Sequence, residues 1–149
     1  MKADKTIEER VKVNGEYDIS DIVTVQKECL EKLGELIKNV DYDIYMDWVM
    51  LLIKYNDLLA DEWRRYNAFK LDIWELKGER WNELRVEQKS NVATDKLVDE
   101  EFKNENRLAN DWRYDLEMLD RKYNWYSVKG MKVWGDYFYR MQREVEATK

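Results

Sequence analysis

The sequence predicts an all-α protein dominated by long helices. Two stretches carry apolar residues at alternating three- and four-residue steps, the spacing of one helix face. Proline is absent, and the five glycines stand apart at Gly15, Gly34, Gly78, Gly130 and Gly135. Charged residues make up 39% of the chain, which suits helices with polar outer faces.

Residues 1–19 read differently from the rest. Val11, Val13, Tyr17 and Ile19 alternate around Asn14-Gly15, a β-hairpin signal. A two-residue loop would put Tyr17 on the face opposite the valines. A three-residue loop, Asn14 to Glu16, pairs Val13 with Tyr17 and Val11 with Ile19, and burial of one face favours it. A frayed polar tail is the competing reading. Domain organisation is thus a small hairpin or tail over 1–19 and one helical domain over 20–149.

Ser20 is a candidate N-cap for the first helix. Ile22, Val25, Cys29, Leu33, Leu36 or Ile37, and Val40 follow at helical spacing. Asp41 or Asp43 then caps a second helix, roughly Tyr45 to Arg85, of about 60 Å at 1.5 Å per residue. Its apolar stripe is Trp48, Leu52, Tyr55, Leu59, Tyr66, Phe69, Ile73 and Leu76. Gly78 marks a point where it kinks or ends. A polar connector near 86–104 follows, with cap candidates at Ser90-Asn91 and Thr94-Asp95 and a short helix around Leu97 to Phe102.

The last helix, about Glu105 to Glu146, has the clearest period. Leu108, Trp112, Leu116, Leu119, Tyr123, Tyr126, Gly130, Val133, Tyr137 and Met141 form a heptad-like seam. Gly130 on that seam lets a neighbouring backbone approach closely. Two such long helices form a helical hairpin or bundle, and their seams exceed what a compact monomer needs. A homo-oligomer is therefore expected, with Trp112, Leu116, Leu119, Tyr123, Tyr126, Gly130, Val133 and Tyr137 at the interface, where aromatic residues are enriched.

Composition narrows the functional classes. The 149 residues amount to one domain, and seven Trp with ten Tyr argue against disorder. The one cysteine, Cys29, forms no intrachain disulfide and falls on the apolar face of the first helix, so a buried thiol is expected. With neither a signal-like start nor an apolar run of membrane-spanning length, the chain reads as a reduced, soluble, cytoplasmic protein. The absence of histidine removes Ser-His-Asp triads, Cys-His pairs and His-based metal sites. No Walker-type or G-x-G-x-x-G loop occurs. The pairs Glu28/Glu31 and Glu117/Asp120, and the run from Glu100-Glu101, are weak echoes of magnesium-binding pyrophosphatase patterns, and Asn104 stands where the last of these needs a carboxylate. No cofactor, metal or catalytic residue is assigned, and a non-enzymatic protein is expected.

One edge of the second helix carries chemistry instead. Trp63, Lys70, Trp74, Lys77, Trp81 and Arg85 run beside the apolar stripe, while Asp61, Asp72, Glu75, Glu79 and Glu83 fall toward the other side. Cations interleaved with flat rings are what single-stranded nucleic acid requires. The opposing consideration is a net charge of −6, where a basic footprint is the usual sign. A second basic and aromatic cluster, Lys129, Lys132, Trp134, Tyr137, Arg140 and Arg143, closes the last helix.

The order of these features resembles the UvsY-like recombination mediators of T-even-type phages. The likeness lies in Lys54-Tyr55-Asn56, Tyr66-Asn67-Ala68-Phe69-Lys70 and Trp74-Glu75-Leu76-Lys77-Gly78, then a polar connector, then Gly130-Met131-Lys132-Val133-Trp134 ahead of Arg140. It spans about residues 43–149. The chain departs from the pattern at Trp74 and Leu76, which replace an aromatic pair before the glycine, and at Asp72, where a basic residue is usual. The resemblance implies a ring-forming helical protein in the host-cell cytoplasm. Such a protein binds single-stranded DNA and helps load a RecA-like recombinase onto strands coated by a single-strand binding protein. Lys70, Lys77 and Arg80 are then the DNA-contacting candidates, with Trp74 and Trp81 for stacking; Arg85 joins them from the ladder. The rival expectation is a helical interaction, assembly or inhibitor protein with no nucleic-acid role, which the acidic balance favours.

Overall fold

The computed structural model describes residues 17–88 and 90–148, and within them the fold is all-α, with four helices and no strand. These are α1 (Ser20–Lys38), α2 (Tyr42–Arg85), α3 (Asn91–Glu101) and α4 (Lys103–Ala147). The expected hairpin lies outside the described residues except for its last three positions, Tyr17 to Ile19, which have no regular structure. No helix among the described residues is long and apolar enough to cross a membrane.

The helix ends follow from local chemistry. Asp41 caps α2, its carboxylate accepting the backbone N–H groups of Asp43 at 3.1 Å and Ile44 at 3.2 Å. Ser90 caps α3 through its hydroxyl, which accepts the Ala93 N–H at 3.1 Å. Ser20 does not cap α1. It is already helical, Ile19 precedes it without a side-chain cap bond, and the Ser20 carbonyl accepts from Thr24 Oγ1 at 2.9 Å. Gly78 does not end α2, which continues to Arg85. A lone glycine costs a helix about 1 kcal/mol, too little to break one anchored by Ile73 and Leu84 on either side. The connector's short helix begins at Asn91, six residues earlier than its apolar positions suggest, because Ser90 supplies the cap.

The residues form two compact units, each holding segments of both long helices. The Trp48 unit comprises 19–61 and 117–148. Ile22, Val25, Cys29, Leu33 and Leu36 of α1 are buried there with Trp48, Leu52, Tyr55 and Leu59 of α2 and Leu119 and Tyr126 of α4. Full burial of side chains of this kind is worth roughly 1.5–3 kcal/mol each. Two polar contacts fix the register: Tyr55 donates its hydroxyl to the Leu119 carbonyl at 2.6 Å, and Gln26 Nε2 donates to the Tyr126 hydroxyl at 2.6 Å. Gly130 meets the Trp48 indole so closely that a Cβ there would stand 2.3 Å from Cζ2. Burial pushes the Cys29 thiol up to about 11, opposed in part by the neighbouring Trp48 indole, so the thiol stays protonated and inert at neutral pH.

The Trp112 unit comprises Tyr17, Asp18 and residues 62–116. Tyr66, Phe69, Ile73 and Leu84 of α2 are buried with Thr94 and Val98 of α3 and Trp112 and Leu116 of α4. Trp112 is its hub. Tyr17 stacks on it at 5.4 Å and 4°, Tyr66 meets it edge-on at 5.7 Å, and Phe69 tilts against it at 5.6 Å. The Tyr17 hydroxyl donates to the Asp115 carboxylate, tying the chain before α1 to α4.

The α2 stripe is buried as its period demands, with Leu76 half-buried at its end. One member was not anticipated. Glu62 occupies the step between Leu59 and Tyr66 and is only 4% exposed. Burial raises its carboxyl above the usual carboxylate range; Arg65, with Nη1 at 3.2 Å, and the Trp112 indole oppose that rise, and Asp18 adds to it.

The α4 seam is closed within the chain. Trp112, Leu116, Leu119, Tyr126 and Gly130 are buried in their units, and Tyr123, Val133 and Tyr137 are half-buried. The chain's own helices cover the buried members of the seam, while Tyr123, Val133 and Tyr137 keep part of their surface accessible.

Candidate nucleic-acid interface

Two rows of cations and rings can be compared with what single-stranded nucleic acid needs. The first is the α2 edge in the Trp112 unit. Its N-terminal part is open: Lys70 is exposed and Trp74 is 72% exposed. Trp63, one of the expected rings, instead packs edge-on against Tyr66 at 5.7 Å.

From Lys77 onward the edge is bound to its own unit. Lys77 Nζ lies 3.3 Å from Asp99 and donates to Asn106 Oδ1 at 3.2 Å. Arg80 forks onto both oxygens of Glu101 at 2.8 and 3.0 Å and reaches Glu83 at 2.9 Å. This guanidinium holds the Glu101 carboxyl below its usual range. The Trp81 indole N–H donates to Asp95 at 2.8 Å. Arg85 donates to Asn91 Oδ1 and the Gln88 carbonyl, each at 2.7 Å. Four of the six expected DNA contacts, Lys77, Arg80, Trp81 and Arg85, thus satisfy α3 and its flanks. Of the six, only Lys70 and Trp74 are exposed with no bond to α3 or its flanks. Glu75 and Glu79, expected to fall toward the other side, line one groove with Trp74, Lys77 and Trp81.

The second row lies on α4, in the Trp48 unit. Residues 121–143 hold six cations, Arg121, Lys122, Lys129, Lys132, Arg140 and Arg143, against one acid, Asp136. All six are exposed, and among the described residues none forms an ion pair. At about 100° per residue they share one sector of the helix with Trp125, Tyr139 and Asp136, beside the Leu119–Tyr126–Gly130 seam. Trp125 is 57% exposed and Tyr139 60% exposed. The Arg143 guanidinium sits 5.7 Å from the Tyr139 ring centre, within cation–π range. The row extends about 33 Å at 1.5 Å per residue.

Residue pattern had marked the C-terminal part of this row but had grouped Trp134 and Tyr137 with it. Both pack inward: Trp134 stacks on Tyr45 at 4.5 Å and 11°, and tilts against Tyr137 at 5.7 Å. Arg121, Lys122, Trp125 and Tyr139 were missed. The signal that finds them is the count of one acid in 23 residues of an otherwise acidic chain.

For the other chemistry considered, no group of three or more carboxylates or thiols suited to a metal ion converges among the described residues. Comparison of the chain with protein-family models, curated proteins and solved structures returns no match.

Proposed function

We propose that this chain is a non-enzymatic single-stranded DNA-binding protein of the recombination-mediator kind, and that it engages the strand with the outer face of α4 over residues 121–143. The observation that carries the reading is the unpaired cation row with Trp125 and Tyr139 set into it. Cations that form no ion pair can exchange solution counterions for phosphates, and exposed rings add sequence-tolerant stacking of about 1–3 kcal/mol per base. The α2 edge is a weaker candidate because phosphates would compete there with Asp99 and Glu101 for Lys77 and Arg80. In this reading the protein acts as a homo-oligomer, helping a RecA-like recombinase onto strands held by a single-strand binding protein. That part rests on the resemblance of α2 and α4 to UvsY-like mediators.

The test is anisotropy of a labelled single-stranded oligonucleotide across a salt series. If four cations touch phosphate, the logarithm of affinity falls against the logarithm of salt with a slope of about −3. Replacing Lys129, Lys132, Arg140 and Arg143 with glutamate should abolish binding and leave helicity intact, since all four are exposed. Absence of binding by the wild type at low salt, or full binding by the variant, defeats the proposal.

A second reading has its own support. The ion-paired α2 edge and the net charge of −6 favour a helical interaction protein without a nucleic-acid role. Failure to bind DNA at low salt would leave that reading standing.

A further inference from the structure

We infer that the groove between α2 and α3 in the Trp112 unit is a docking site for a partner protein, and that it takes a lysine or arginine side chain of that partner between indole and carboxylate. This inference stands apart from the DNA reading, which rests on α4.

The groove is open, with a volume of about 630 Å³, and Trp74, Trp81 and Val98 form its apolar surface. That size lies within the roughly 300–1,000 Å³ typical of small-ligand sites. Trp74 is 72% exposed, an unusual position for the largest apolar ring when no neighbour covers it. Trp81 is half-buried and held in place by its N–H bond to Asp95. The two indoles therefore offer one adaptable face and one fixed face.

The charge around these rings is negative. Glu75, Glu79, Asp95 and Asp99 line the groove against a single ammonium, Lys77, which Asp99 already meets at 3.3 Å. Glu75 and Glu79 are exposed and form no ion pair among the described residues. A phosphate entering here would meet a net charge of −3. A guanidinium or ammonium would instead find an indole face for its apolar side and carboxylates for its N–H groups. The same complementarity argues against an acidic or purely apolar partner, which would leave Glu75 and Glu79 facing like charge or losing water without compensation.

The experiment uses the full chain and a fluorescein-labelled octapeptide of alternating glycine and arginine, with the glycine–glutamate octapeptide as control. The arginine peptide should bind and the glutamate peptide should not. Trp74→Ala should weaken binding roughly two- to fivefold, the size of an exposed cation–π contact, and Glu79→Gln should act in the same direction. Both positions are exposed, so both variants should keep the wild-type circular dichroism. Glutamate substitutions at Lys129, Lys132, Arg140 and Arg143 should not weaken peptide binding, which separates this site from the α4 row. Arginine-peptide binding that ignores Trp74→Ala reports general attraction to an acidic protein and overturns the inference. So does loss of single-stranded DNA binding, rather than peptide binding, in Trp74→Ala. A fall in solution mass in Trp74→Ala would identify the occupant as a second copy of this chain and would equally overturn it.

Discussion

The α2 edge and the α4 face carry the same alphabet, lysine and arginine interleaved with tryptophan and tyrosine, yet they are chemically opposite. On α2 the cations end on Asp99, Glu101, Glu83 and Asn91. On α4 the six cations of 121–143 face solvent with no ion pair among the described residues. The difference comes from α3, a short helix whose Ser90 cap starts it at Asn91 and whose acidic residues then meet α2. A cation row is a binding surface only when nothing in its own unit has already answered it. An exposed ion pair is worth little to stability, about 0–1 kcal/mol, but a phosphate must displace its carboxylate before it can use the cation.

The comparison breaks most sharply where α4 is seated. Gly130→Ala places a methyl group inside the Trp48 ring, which is fully buried and has nowhere to turn. Overpacking of this kind costs about 1–3 kcal/mol. Thermal unfolding should report that loss. Hydrogen exchange should show it concentrated in the Trp48 unit, with the Arg80–Glu101 region of α3 retaining its protection. Equal loss in both units would mean that they do not unfold separately.

Neutralising the carboxylates of α3 sharpens the comparison. Asp95→Asn, Asp99→Asn and Glu101→Gln, with Glu83→Gln on α2, together release Lys77 and Arg80 from their ion pairs and should make the α2 edge resemble the α4 row. Single-stranded DNA affinity should then rise, and the salt slope should steepen by about 0.7 for each cation that gains a phosphate. An unchanged slope would mean that the strand never approaches α2. Stability should fall only slightly, since these pairs are exposed.

The smallest expected effect concerns pH. Burial raises the Glu62 carboxyl, so the folded state holds that proton more tightly than the unfolded chain. Its favourable contribution is complete below the unfolded value and is lost as pH rises through the folded one. At neutral pH the ionised group opposes folding, with Arg65 offering only partial relief. Glu62→Gln should therefore raise the melting temperature at pH 7, by less than Gly130→Ala lowers it, and the gain should shrink as pH falls through the carboxylate range. Calorimetry at both pH values checks the sign.

These contrasts also mark what the sequence could disclose. The apolar stripes of α1, α2 and α4 were legible because burial follows the helical period, and Trp48, Tyr55, Leu116 and Cys29 are nearly or wholly inaccessible where that period puts them. Glu62 was not legible, since a carboxylate on an apolar step reads as an interruption until its neighbours are known. The partners of the α2 cations were hidden for another reason. Arg80 and Glu101 are 21 residues apart, and helical phase says which residues share a face without saying what faces them. Gly130 reads as a place where a neighbouring backbone comes close, but the visitor is a side chain, the Trp48 indole of the same chain.

That contact constrains the protein's history as much as its shape. The indole at position 48 and the bare Cα at position 130 are two halves of one volume, separated by 82 positions in the chain. A lineage that drifts to alanine at 130 must first accept a smaller ring at 48, because the reverse order passes through a damaged intermediate. Relatives should therefore keep both residues or change both together, and a glycine with a small partner should be the bridge between the two solutions.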